Sequence, residues 1–76
     1  MKYDYEDIFH THPDGSASSE FFIRIYGQNV TLSPGTLFKP GMLVGGIDIA
    51  RMYGHELKAT IHEEHEDEVV VIDKFY

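Results

Sequence analysis

The chain contains no cysteine and no tryptophan, and only six of its 76 residues are Lys or Arg. Without thiols it forms neither a disulfide nor a thiolate zinc site, so nothing covalent supplements its core. The six bases are scattered along the sequence. Phosphate contacts need clustered Lys and Arg, so direct nucleic-acid binding is not expected. No apolar run approaches the length that spans a bilayer, and no membrane association is expected either. The first nine residues, MKYDYEDIF, lack the apolar core of a signal peptide, which makes the cytoplasm the expected compartment.

What is present suits a small folded domain. Hydrophobic residues make up 42% of the chain and include five Tyr and five Phe, enough to argue against disorder. A chain of this length buries only roughly 60% of the surface that its unfolded form exposes. One domain over residues 1–76 is therefore expected. Aromatic bulk or association with a second copy would widen its narrow margin. Thirteen acids against six bases leave a net charge of −7, which keeps a small protein dissolved and suits a basic partner.

The clearest periodicity lies in residues 56–75. Leu57, Ala59 and Ile61 alternate with Lys58, Thr60 and His62, the pattern of a strand with one buried and one wet face. The run Glu63-Glu64-His65-Glu66-Asp67 has no apolar residue and reads as a solvated loop. Val69-Val70-Val71-Ile72 follows, a β-branched run whose apolar residues require cover on both faces. This predicts an inner strand, or an edge that another chain covers.

Upstream, residues 20–26 alternate Phe21, Ile23 and Ile25 against Phe22, Arg24 and Tyr26. With the turn at Gly27-Gln28-Asn29 and a return strand from 29 to 32, they predict a β-hairpin. Residues 10–19, HTHPDGSASS, read as a loop, because Pro13-Asp14-Gly15 is turn chemistry. Residues 1–9 read as an edge strand, or as an arm that is either docked through its aromatics or frayed. Met42-Leu43-Val44 reads as a strand, Gly45-Gly46 as a bend, and 47–53 as a short helix capped by Gly54.

These elements predict a mainly β domain of about five short strands, a small barrel or a strongly bent antiparallel sheet. A short helix near 47–53 completes it, and the alternative is an α+β layer.

Two histidine strings bear on metal chemistry. Phe9-His10-Thr11-His12-Pro13 resembles the His-x-His-Pro core of the JAMM/MPN metalloproteases, whose two histidines hold a zinc that activates water. Residues i and i+2 of an extended chain point to one side, so His10 and His12 can converge on an ion. Glu20 stands where that family has a serine, and no aspartate follows at its spacing, so no catalytic residue is carried over. The second string is His62 with His65, whose imidazoles could join neighbouring carboxylates around zinc or nickel.

The functional expectation is a non-catalytic protein–protein interaction module or accessory subunit, without a cofactor. It would self-associate, or hold a basic protein, through a strand edge or an aromatic patch. The candidate contact residues are Phe22, Tyr26 and Tyr53, with Glu63, Glu64, Glu66 and Asp67 supplying charge. One alternative is an acidic inhibitor that mimics nucleic acid. Another is a histidine-based metal-binding protein or zinc-hydrolase remnant using His10 and His12, or His62 and His65.

Overall fold

The alternating residues of 56–75 form the two longest strands of the chain, and the other elements are arranged around them. A computed structural model describes residues 1–76. In chain order it contains β1 (Lys2–Asp4), α1 (Tyr5–Ile8), β2 (His10–Thr11), β3 (Ala17–Ser18), β4 (Phe22–Ile25) and β5 (Thr31–Leu32). There follow β6 (Leu43–Val44), β7 (Ile47–Asp48), one 3-10 turn over Ile49–Met52, β8 (Glu56–Glu64) and β9 (Asp67–Phe75).

The fold is mainly β, built on a five-stranded sheet of order β1-β8-β9-β4-β5. Both ends of that order are open, so the barrel form of the sequence reading does not occur. The sheet is also not wholly antiparallel: β4 runs parallel to β9, with Phe22 beside Val69 and Ile25 beside Ile72. The remaining pairs are antiparallel. A parallel neighbour needs a long crossover. Here residues 26–66 provide it, folding into β5, the β6–β7 ribbon, the 3-10 turn and β8 before the chain returns beside β4. The valine run is thus an inner segment with both edges taken, and residues 69–72 offer no free edge for pairing with another chain.

One face of the sheet carries the core. Ile23 and Ile25 lie beside Val70 and Ile72, which lie opposite Ile61 and Ala59. All of these except Ile61 are buried. A β-bulge between Lys58 and Ala59 bends the hairpin and so curves the sheet around this face.

Residues 1–9 form the cover of the core. In α1 Tyr5 and Ile8 follow the i, i+3 spacing of one helical face, Phe9 caps the end of that turn, and each of the three is at most 3% exposed. The Tyr5 and Phe9 rings stack at 4.9 Å, and Phe38 meets Phe9 edge-on at 5.8 Å. Asp7 starts the helix by accepting a 2.9 Å hydrogen bond from the Asp4 amide. The arm is therefore docked, and it supplies the largest side chains of the interior.

Two segments differ from the sequence reading in detail. Residues 10–19 contain a small antiparallel ribbon, with His10 opposite Ser18 and Thr11 opposite Ala17. Buried Ser19 anchors its far end by donating to the Ile8 carbonyl at 2.7 Å. Near 47–53 the expected helix is shorter and later. Gly45 and Gly46 make a tight turn that pairs Val44 with Ile47, so 47–48 is strand and only Ile49–Met52 forms a 3-10 turn.

Candidate functional site

The β8–β9 hairpin runs past the core, and its outer end is where the charge gathers. Residues 63–68 hold five of the thirteen carboxylates. The expected loop over 63–67 is mostly strand: Glu63 pairs with Glu68 and Glu64 with Asp67. Only His65 and Glu66 form the turn, at φ 50° and 71°. Positive φ at both positions is the turn that matches the right-handed twist of a hairpin, normally filled by Asn-Gly. Here two side-chain-bearing residues hold that strained backbone.

The two faces of this end differ electrostatically. On the face away from the core, Arg24 donates two hydrogen bonds to the Glu64 carboxylate, at 2.8 and 3.0 Å. A third, at 2.9 Å, goes to the Thr31 hydroxyl on β5. These bonds draw the Glu64 carboxyl below its ordinary value of 4.5 and raise the guanidinium of Arg24. On the core-side face Glu63 stands opposite Glu68, a like-charge pair that opposes hairpin closure.

A cleft of about 480 Å³ opens where the tip meets the ends of β4 and β5. Glu20, Glu66, Asp67 and Glu68 line it together with Pro34, and its lining includes no Lys or Arg. Of these carboxylates the sequence analysis singled out Glu66 and Asp67. Glu68, next to Asp67 in the chain, joins them, and Glu20 could not be foreseen, because the parallel pairing of β4 with β9 is what brings residue 20 beside the tip.

Across β5 the surface changes character. Ile25, Val30, Leu32, Met42, Leu43 and Val44 line a second groove of about 250 Å³ between the β4–β5 hairpin and the β6–β7 ribbon. Val30 is 62% exposed and Leu43 is 65% exposed. From Ile25 to Ile47 the only charged residue is Lys39. That gap in charge was legible in the sequence, whereas the meeting of 30–32 with 42–44 was not. No strand pairs with the outer side of β5, which leaves main-chain donors and acceptors open along this edge.

The three aromatic candidates do not form one patch. Phe22 and Tyr26 stand at opposite ends of β4. Tyr53 lies 5.9 Å edge-on to Tyr5, at the other side of the core. Its phenol is raised in pKa by hydrogen bonding to Glu6 and by that carboxylate's charge.

The histidines are likewise dispersed. Exposed His10 lies on β2, while His12 Nε2 is 2.9 Å from the Ser18 hydroxyl. Asp14 is engaged by Ser16, accepting from its hydroxyl at 2.6 Å and its amide at 3.0 Å. These bonds lower its carboxyl pKa. His62 lies on β8 and His65 in the turn. Nowhere do three His, Asp or Glu side chains converge with the geometry of a metal site.

Comparison of the chain with known protein families, with curated proteins and with solved structures finds no match.

Proposed function

We propose that this chain is a non-catalytic interaction module that holds a basic protein at the acidic end of its β8–β9 hairpin. The observation that carries this reading is the cleft beside Pro34. Four carboxylates line it without a lysine or arginine among them, whereas Glu64, at the same hairpin end, has an arginine partner. Like charges gathered in this way raise the free energy of the unbound state, and a cationic partner relieves them. Two copies of a chain of charge −7 repel each other, which favours a partner of opposite sign over self-association.

The test is co-purification of the tagged chain from its own source at low and high salt. It is run beside a variant carrying Glu63→Gln, Glu64→Gln, Glu66→Gln and Asp67→Asn. The expected result is a basic protein retained by the native chain and released both by the variant and by salt. A partner retained equally by the variant ends this reading.

A further inference from the structure

The acidic cleft and the apolar groove lie at the two ends of the same open strand edge. β5 begins beside Val30, in the groove, and its chain continues to Pro34, in the cleft. The four residue steps from Val30 to Pro34 span about 13 Å at the rise of an extended chain. One extended segment of a partner can therefore reach both.

From this arrangement we infer that β5 accepts a sixth strand from the partner, an extended segment with basic residues at one end and alternating apolar residues at the other. This inference rests on the proposed function and names the form that the basic partner takes.

Three observations favour it. The outer side of β5 is unpaired, so an added strand gains main-chain hydrogen bonds. Leu32 lies opposite Ile23, on the core face, so every second side chain of a strand laid beside β5 points toward the groove. That groove is apolar, with buried Ile25 in its lining and exposed Val30 and Leu43 at its sides. Charge then decides which segment fits: the lining of the groove holds no charged residue, and the cleft holds four carboxylates. A second copy is a poor occupant, since two-fold antiparallel pairing of β5 with itself would set each apolar groove against the other copy's acidic cleft. An antiparallel partner strand enters at the cleft, so its basic residues come first and its apolar residues follow.

The test uses a nine-residue peptide whose first three residues are lysine or arginine and whose last six alternate valine with threonine. Its affinity is titrated against the native chain, against Leu43→Lys, and against the triple variant Glu20→Gln, Glu66→Gln, Glu68→Gln. Circular dichroism checks that each variant keeps its fold, and Leu43 is exposed enough for the change to leave the core intact. The expected result is a loss of at least tenfold for either variant. A matched loss is expected when alternate residues of the peptide are N-methylated, because methylation removes the donors of the new ladder. If the triple variant weakens binding while Leu43→Lys and N-methylation do not, strand addition is overturned and the acidic-surface reading stands. If neither variant changes the affinity, both readings fail. A dimer in sedimentation that Leu43→Lys dissociates makes the groove a self-interface and overturns the proposal.

Discussion

Arg24 and Glu64, 40 positions apart in the chain, clasp each other across β9 through two hydrogen bonds of 2.8 and 3.0 Å. Arg24 stands on β4 and Glu64 at the end of β8, so the pair spans the strand between them and ties the protruding hairpin to the body. Both side chains remain partly in water, at 28% and 38% exposure. The geometry is bidentate, the arrangement in which a surface ion pair is most effective.

This pair makes stability depend on pH in a defined direction. The Glu64 carboxyl titrates below its ordinary value of 4.5 in the folded chain, so the folded state binds fewer protons than the unfolded one near and below that value. Its contribution is fully present above pH 4.5 and is lost as pH falls through the lowered folded value. Chemical denaturation of the native chain and of Glu64→Gln, compared at a series of pH values, should show the gap between them closing on acidification. A gap independent of pH would contradict this.

Tyr5 sets an alkaline counterpart. Burial, with a smaller effect from the charge of Asp48, raises its phenol to about 12, and its hydroxyl donates to the Ile49 carbonyl at 3.0 Å. A raised value means that the folded state keeps a proton which the unfolded chain releases near 10. The contribution is thus complete below pH 10 and lost between 10 and 12. Tyr5→Phe should remove that part of the alkaline slope while costing about 1 kcal/mol at neutral pH through the lost hydrogen bond. Denaturation curves at pH 7 and pH 11 test both statements.

The turn at His65-Glu66 holds two residues at positive φ where Asn-Gly would rest without strain. Replacing them together, His65→Asn with Glu66→Gly, should stabilise the chain by about 1–2 kcal/mol. A domain of this size would then melt roughly 4–8 °C higher for each kcal/mol. The same change removes one carboxylate from the cleft, so affinity for a basic peptide should fall while stability rises. Calorimetry and a peptide titration on one preparation separate the two effects. If the variant melts no higher, the turn stores no strain.

Gly45 and Gly46 occupy the corresponding turn of the β6–β7 ribbon, at φ 56° and 80°. An added Cβ at Gly45 would lie 3.0 to 3.2 Å from three atoms of the Ile25 side chain, whereas at Gly46 it meets open space. Gly46→Ala should therefore cost only the backbone strain, about 1–2 kcal/mol. Gly45→Ala should cost more, because Ile25 is buried and has little room to shift. Equal costs in urea denaturation would show that the ribbon moves away freely.

Phe9→Ala should cost about 3–5 kcal/mol, since it empties the centre of the aromatic cluster. Small domains are often stable by little more than that. A large fall in melting temperature, or partial unfolding at 25 °C, is the expected observation.

Much of this architecture is written locally. The alternation in 56–62, the β-branched run 69–72 and the pattern of 20–26 each declare a strand. A period of two is a property of neighbouring residues that needs no knowledge of what lies across the sheet. The spacing of Tyr5, Ile8 and Phe9 carried a helical signal too, but over four residues it was too short to separate from an extended arm. The ribbon at 10–19 was hidden because its two short strands are made of polar and small residues.

Partner choice, by contrast, was settled only in three dimensions. Nothing near residue 22 states that β4 will lie parallel to β9, because that pairing depends on how the intervening residues 26–66 fold. Yet the pairing decides that β9 is interior, that β5 is a free edge, and that Glu20 joins the carboxylates of the tip. The sequence by itself determined the mainly β class, the acidic hairpin and the stretch from 25 to 47 whose only charge is Lys39, all of them properties of adjacent residues. Tertiary structure alone decided which of these surfaces share one strand edge, since burying the apolar faces of β4, β8 and β9 on a single core is what sets β4 beside β9 and leaves β5 outermost.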